Sequence, residues 1–304
     1  MTLEAIGDKY DITRERVRQI EADALSRIRK SPAMDELQGT FADLESYFAS
    51  AGGVVRESYV LSNLSSHPKY ENRVYFLLTL HDPLMRFHEN DELHSRWAHK
   101  KEFDAQAQKT LDHAIGKIRQ IGKPISEPQL FEVLSSSANA VAGTNPAQAV
   151  LANWLGISKI LAKNYFGEWG LTEFPSIKPR GVRDLSYLVM NRSNEPLHFS
   201  DVAKKIGELV GKRVHVQTVH NELIKDDRFV LVGRGLYALK ERGYEEGTVK
   251  DIVTNILYNN GPMKREKIVE LVSAKRFVKP NTIAVNLDNR KYFKKLEDGR
   301  YVVR

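Results

Sequence analysis

The sequence predicts a mostly α-helical protein with small β-wings, in which an N-terminal helix-turn-helix is followed by tandem winged-helix modules. Two short segments at the start of the chain place apolar residues at helical spacing. The rest of the chain repeats one order of elements: a helix, a β-like step, two further helices and a hairpin. The predicted hairpins carry Gly, Asn or Asp between runs in which apolar and polar residues alternate.

A chain of 304 residues is long enough for several domains. The repeated order of elements places four modules after the helix-turn-helix, with limited contact expected between modules. The predicted segments are 1–36, 37–101, 102–176, 177–243 and 244–304.

The charge of the chain is unevenly distributed. The net charge is +7, yet residues 177–304 carry 26 Lys and Arg against 16 Asp and Glu, while residues 1–176 carry 20 against 23. This excess of positive charge favours an anionic partner for the C-terminal part. The chain has no cysteine, which excludes disulfides, thiolate metal sites and a cysteine nucleophile. No secretory signal or membrane-spanning run is visible, so we expect a cytoplasmic protein.

The first thirty residues have the pattern of two helices joined by a tight turn. Thr13 is a suitable N-cap for the second helix, because its hydroxyl can accept a free backbone N–H. The first helix has an apolar face of Leu3, Ile6 and Tyr10. The second helix has an apolar stripe of Val17, Ile20, Ala24, Leu25 and Ile28. The opposite face of the second helix carries side chains suited to bases and phosphates, namely Arg14, Glu15, Arg18 and Gln19.

The run ITRERVRQIEADAL resembles the promoter-reading half of region 4 of sigma factors. The resemblance covers about a tenth of the chain. It implies that Arg14, Glu15 and Gln19 face bases, while Arg16 and Arg18 lie nearer phosphates. Sigma factors carry a further helical pair upstream and a separate domain that melts promoter DNA, and neither is found in this sequence. We therefore expect either a late start or a detached reader that does not act as a self-sufficient sigma factor.

The third repeat, at about residues 180–241, resembles the HARE-HTH domain, a winged-helix family found in the delta subunit of bacterial RNA polymerase, in chromatin regulators and beside restriction enzymes. The runs PLHFSDVAKKI and VHVQTVHNELIKDDRFVLVGRGLYALKE carry the resemblance. The third helix of this repeat has a predicted apolar face of Val216, Val219 and Leu223. The candidate DNA-binding residues are Gln217, Thr218, His220, Asn221 and, at the wing tip, Arg234. Winged helices also bind proteins, so DNA and protein both remain open as partners of this repeat.

The fourth repeat has a helix that begins at Pro280, with Ile283, Val285 and Leu287 as predicted apolar positions. Basic and polar residues surround this helix and the following hairpin, as contact with phosphates requires. The candidate DNA-binding residues are Lys279, Asn281, Thr282, Asn286, Arg290, Lys294, Lys295 and Arg300.

No catalytic or metal-binding motif is found, and we expect neither an enzyme nor a cofactor. The aromatic residues do not form a stacking platform for unpaired bases by sequence. The leading hypothesis is a transcription factor that binds double-stranded DNA and acts with RNA polymerase. Two alternatives remain: a delta-like accessory subunit that binds polymerase through its winged helices, and a DNA-binding specificity component of a restriction or modification system.

Overall fold

The computed structural model describes residues 2–304, which are mostly helical and contain only short antiparallel strands. These residues divide into two compact units between Thr172 and Glu173. None of the described helices is long and apolar enough to cross a membrane. The predicted fold class, mostly helical with small β-elements, is confirmed at this level.

The chain begins with two capped helices, α1 (Leu3–Tyr10) and α2 (Arg14–Arg29). The hydroxyl of Thr2 accepts a hydrogen bond from the backbone N–H of Ala5 at 3.1 Å. The hydroxyl of Thr13 accepts one from the backbone N–H of Arg16 at 3.2 Å, which confirms the predicted cap. Each cap satisfies a backbone donor that the helix itself leaves free.

The turn between α1 and α2 depends on two backbone features. Asp11 closes α1 in the left-handed region with φ of 54°, a conformation that Asp tolerates better than most residues. Gly7 is buried against the turn, and a Cβ atom added there would lie 2.5 Å from the carbonyl oxygen of Ile12. The two helices therefore approach each other as closely as they do because position 7 has no side chain.

The predicted apolar faces of these helices are only partly covered. Val17 is buried, but Tyr10 and Ile20 are 64% and 48% exposed, so their predicted packing is wrong. Ile20 lies about 60° around the helix from Val17, at the edge of the stripe. Leu25 and Ile28 instead pack against the core of the segment that follows.

The first repeat follows a short helix, α3 (Ala33–Glu36). Its elements in chain order are α4 (Gln38–Ser50), β1 (Val54–Arg56), α5 (Glu57–Leu64), α6 (Glu71–Leu80), β2 (Met85–Phe87) and β3 (Arg96–Ala98). Strand β3 is central and antiparallel to both neighbours. The second repeat consists of α7 (Lys101–Ile121), α8 (Glu127–Ala142), α9 (Gln148–Ile157), β4 (Leu161–Lys163) and β5 (Trp169–Leu171). An isolated bridge between Ile125 and Trp169 takes the place of its first strand.

Arg29 connects the helix-turn-helix to the first repeat through hydrogen bonds and an ion pair. Its Nη2 and Nε donate to the carbonyl oxygens of Thr79 and Leu80 at 2.7 and 3.2 Å, and its Nη1 lies 2.9 Å from a carboxylate oxygen of Asp82. These carbonyls end α6, where a positive charge is favourable. The C-terminal end of α2 is therefore held at the C-terminal end of α6.

The first two repeats pack closely, so the expectation of limited contact between modules is wrong for them. The indole Nε1 of Trp154 donates to the carbonyl oxygen of Gly52 at 3.2 Å. A Cβ atom at Gly52 would lie 2.2 Å from Val150, and one at Gly53 would lie 2.3 Å from Phe103. Because neither glycine has a side chain, α7 and α9 can pack against the backbone of the first repeat. Both glycines also have positive φ, a conformation that glycine adopts at little cost.

A buried ion pair joins the same two repeats. Arg96 of β3 donates to the carboxylate of Asp104 of α7 through Nε and Nη2, at 2.5 and 3.0 Å. Both side chains are nearly inaccessible to water. Gln108 donates to the same carboxylate at 2.5 Å, so the buried charges are paired and hydrogen-bonded.

The second unit contains the third and fourth repeats. The elements of the third repeat are α10 (Val182–Arg192), β6 (Leu197–His198), α11 (Phe199–Val210), α12 (Val216–Lys225), β7 (Phe229–Leu231) and β8 (Leu236–Leu239). Those of the fourth are α13 (Val249–Asn260), α14 (Arg265–Lys275), α15 (Pro280–Leu287), β9 (Phe293–Lys295) and β10 (Tyr301–Val303). Each repeat has a separate apolar core. The four predicted hairpins are all formed.

Two predicted apolar positions in the second unit face outward. Val285 is 64% exposed, because it lies about 200° around α15 from the buried Ile283. Ala284 is buried in its place, and Leu287 is buried as predicted. Val216, the first residue of α12, is 41% exposed, whereas Val219 and Leu223 are buried as predicted.

Candidate nucleic-acid interface

The start of α2 presents a row of polar and charged side chains to solvent. Arg14, Glu15, Arg16, Arg18 and Gln19 are all exposed, and the buried Val17 lies between them in sequence. The Thr13 cap and the Gly7 contact fix where this helix begins. The five predicted residues of this segment therefore lie together on one short, capped stretch of helix.

Two of these side chains, Arg18 and Glu15, form an ion pair with each other. Arg18 donates to both carboxylate oxygens of Glu15, at 2.9 and 2.7 Å. This hydrogen bonding lowers the pKa of the Glu15 carboxyl and raises the pKa of Arg18. Gln19 and Arg16 join more weakly, at 3.4 Å to Glu15 and 3.5 Å to Gln19. Both carboxylate oxygens of Glu15 therefore accept hydrogen bonds from Arg18.

In the third repeat, three of the predicted residues are exposed on α12: Gln217, Thr218 and Asn221. Gln217 donates to the side-chain oxygen of Asn221 at 3.1 Å, one turn along the helix. His220 is half-buried, and its ring stacks on Phe199 with the centroids 4.3 Å apart. The structure therefore places His220 against the core and the other three side chains in solvent.

In the fourth repeat, several basic side chains line a concave surface that encloses about 440 Å³. Arg290, Lys294 and Lys295 line it together with Arg304. Arg300, near the hairpin turn, is exposed and bonded to Asp298 at 2.7 Å, which lowers the pKa of that carboxyl. Asn286 donates to the carbonyl oxygen of Thr282 within α15 at 2.8 Å. The residues after α15 are therefore a stronger phosphate-binding candidate than Asn286.

The remaining predicted residues lie across the third and fourth repeats. Arg234, at the turn between β7 and β8, lines a second groove together with Lys279 and Thr282 at the start of α15. Asn281 is exposed beside them. No sequence pattern predicts that the turn at Arg234 lies near Lys279, which follows it by 45 residues.

Several residues that line these surfaces were missed by the sequence analysis, among them Arg276, Phe277 and Arg304. Arg276 and Phe277 belong to a connection between helices, where no periodic pattern applies. Arg304 follows the last strand, and its Nη1 donates to the carbonyl oxygen of Arg290 at 2.9 Å. The charge count of residues 177–304 was a signal for the two arginines. It gave none for Phe277, which is uncharged.

Residues 1–30 match the family described as Sigma-70, region 4. The matched range contains both capped helices, the turn at Asp11 and the exposed row from Arg14 to Gln19. The N-terminal segment of the chain is therefore similar to a DNA-binding helix-turn-helix. That family is not catalytic, and the match leaves the other nine-tenths of the chain unassigned.

Proposed function

We propose that this protein is a transcription factor that reads a promoter-like element in duplex DNA and acts with RNA polymerase in the cytoplasm. The observation that carries the proposal is the exposed row at the capped start of α2, within a segment similar to sigma region 4. The protein positions other components and performs no chemistry of its own. Arg14, Glu15 and Gln19 contact base edges, while Arg16 and Arg18 contact phosphates.

The reading helix is too short to specify a genomic address by itself. A good bidentate contact discriminates between bases by roughly 1–3 kcal/mol, and α2 offers about three such side chains. Competing sites in a genome are numerous enough that further contacts are needed. We propose that the basic second unit supplies additional affinity for DNA, and that polymerase supplies the rest.

The order of elements in each repeat supports a winged-helix assignment, with the third repeat as a HARE-HTH-like domain. In each repeat a helix and a strand or bridge precede two helices and a hairpin. In this assignment α12 and α15 are the recognition helices, and the turns at Arg234 and Arg300 are wing tips. The proposed domain boundaries are those predicted above.

The first two repeats are better suited to a protein partner. Residues 31–176 carry 13 Lys and Arg against 17 Asp and Glu, so their charge opposes contact with DNA. This balance favours a second candidate function, in which the chain is an accessory subunit that binds polymerase and does not read DNA. The two candidates differ in whether the α2 row determines any effect on transcription.

Removing phosphate contacts from the fourth repeat is expected to lower the salt dependence of DNA binding. Lys294→Ala with Lys295→Ala removes two exposed charges from one concave surface. The slope of log affinity against log salt should become less steep by about two, because each phosphate contact releases about one counterion. Lys267→Ala is the control, since this exposed lysine on α14 already pairs with Glu270. An unchanged slope in the double variant would remove this surface from the DNA interface.

Run-off transcription tests the proposed function directly. The chain is expected to alter the yield from a promoter that carries its preferred site when polymerase holoenzyme is present. A variant with Arg14→Ala and Gln19→Ala should lose this effect and remain folded. If the variant acts like the parent protein, the accessory function without DNA reading is correct. Transcripts from core polymerase and this chain alone would instead make it a sigma factor.

A further inference from the structure

A groove of about 1090 Å³ lies between the third and fourth repeats. One wall is the turn Gly233–Gly235 together with Leu231, and the other is the connection Arg276–Lys279. Both walls belong to the same compact unit. The groove is therefore a feature that neither repeat has alone.

The groove is positively charged. Arg234, Arg276 and Lys279 line it, and the lining residues that the structure describes include no Asp or Glu. Arg234 and Lys279 are exposed on opposite walls. A concave surface with charge of one sign concentrates ligands of the opposite sign. The charge of this groove therefore favours an anionic ligand.

Arg276 determines the shape of the groove. Its Nη1 donates to the carbonyl oxygen of Gly247, before α13, and to that of Leu231 in β7 at 3.3 Å. The neighbouring Lys275 pairs with Glu245 in the segment that joins the two repeats. These contacts tie the fourth repeat to the hairpin of the third, so the walls are held in place before a ligand binds.

An aromatic ring is exposed inside this basic groove. Phe277 is 47% exposed and Leu231 is 46% exposed, although neighbouring Val278 and Leu236 are largely covered. A ligand that carries only phosphate would make no stacking contact with the exposed ring of Phe277. Nucleic acid supplies both negative phosphates and flat bases, and bases stack on aromatic side chains in single-stranded DNA sites. Duplex DNA hides the faces of its bases, so the combination favours an unpaired strand.

We propose that this groove binds single-stranded DNA, with phosphates on Arg234 and Lys279 and a base stacked on Phe277. The site is separate from the duplex-reading row on α2. It also revises the expectation that the chain lacks a platform for unpaired bases. Phe277 is isolated from other aromatic residues in the sequence, and the fold alone places it beside Arg234.

The proposal is tested by measuring how tightly the full chain binds a fluorescent dT oligomer of roughly 12 nucleotides. Fluorescence anisotropy at low salt reports this binding. Phe277→Leu keeps an apolar side chain and removes the ring, and it should weaken binding about tenfold through the lost stacking. Tyr258→Leu is the matched control, because Tyr258 is a 72% exposed aromatic of the same unit that does not line the groove. Its affinity should stay within about twofold of the parent protein.

Further binding measurements distinguish this groove from the proposed duplex-reading helix α2. The variant with Arg14→Ala and Gln19→Ala should bind the dT oligomer as the parent protein does, whatever happens to its duplex binding. Unlabelled dT should displace the probe at a lower concentration than a duplex of the same length. The proposal is overturned if the dT oligomer does not bind, if Phe277→Leu binds it with parental affinity, or if the duplex competes equally well.

Discussion

Arg14→Ala and Gln19→Ala are each expected to weaken binding to the preferred duplex site by roughly 1–3 kcal/mol. Each substitution removes one proposed contact to a base edge. Both side chains are exposed on α2, whereas Val17 of the same helix is buried. The circular dichroism spectrum should therefore remain that of the parent protein. A scrambled duplex should bind almost as well to these variants as to the parent.

Arg27→Ala is the matched control, because it removes the same charge from the same helix. Arg27 is 80% exposed near the other end of α2 and pairs with Asp23. Arg16→Ala, at a proposed phosphate contact, should weaken specific and scrambled duplexes alike and lower the salt slope by about one. Equal affinity of parent, Arg14→Ala and Gln19→Ala for the preferred site would show that α2 does not read bases.

Arg96→Ala is expected to lower the free energy of unfolding of the first unit by about 3–5 kcal/mol. The substitution leaves the carboxylate of Asp104 buried between the first two repeats without its cation. Arg27→Ala breaks an exposed ion pair instead, and it should cost less than about 1 kcal/mol. The contrast between the two variants measures the effect of burial at equal change of charge.

Tryptophan fluorescence during urea unfolding reports this difference. The three tryptophans of the chain, Trp97, Trp154 and Trp169, all lie in the first unit. Their signal therefore follows that unit whether or not the second unit unfolds separately. A loss below about 1 kcal/mol in Arg96→Ala would mean that the buried pair contributes no more than a surface pair.

Local sequence signals predicted the local structure well. The cap at Thr13, the helix start at Arg14 and the turns of the hairpins depend on neighbouring residues, and the structure contains them. Single apolar positions were less predictable. Ile20 is near the right spacing yet exposed, because periodicity does not specify how wide the covered stripe is. Val285 is exposed because it lies on the side of α15 opposite Ile283, so its apolar character alone was misleading.

Contacts between repeats could not be predicted from the sequence. No sequence pattern indicates that α9 packs against the backbone of Gly52, as the structure shows. Arg96 and Asp104 were unremarkable charges in the sequence, because only tertiary packing buries them together. The groove that contains Phe277 has the same origin, since its walls come from different repeats.

If the row from Arg14 to Gln19 reads duplex DNA, selection of bound sites from random duplex DNA with the full chain will recover its motif. We expect the parent protein to enrich one short motif, and Arg14→Ala to relax the preference at one position of that motif. The control Arg27→Ala should enrich the same motif as the parent protein. Absence of any enriched motif, or an unchanged motif in both Arg14→Ala and Gln19→Ala, would show that this row does not read DNA.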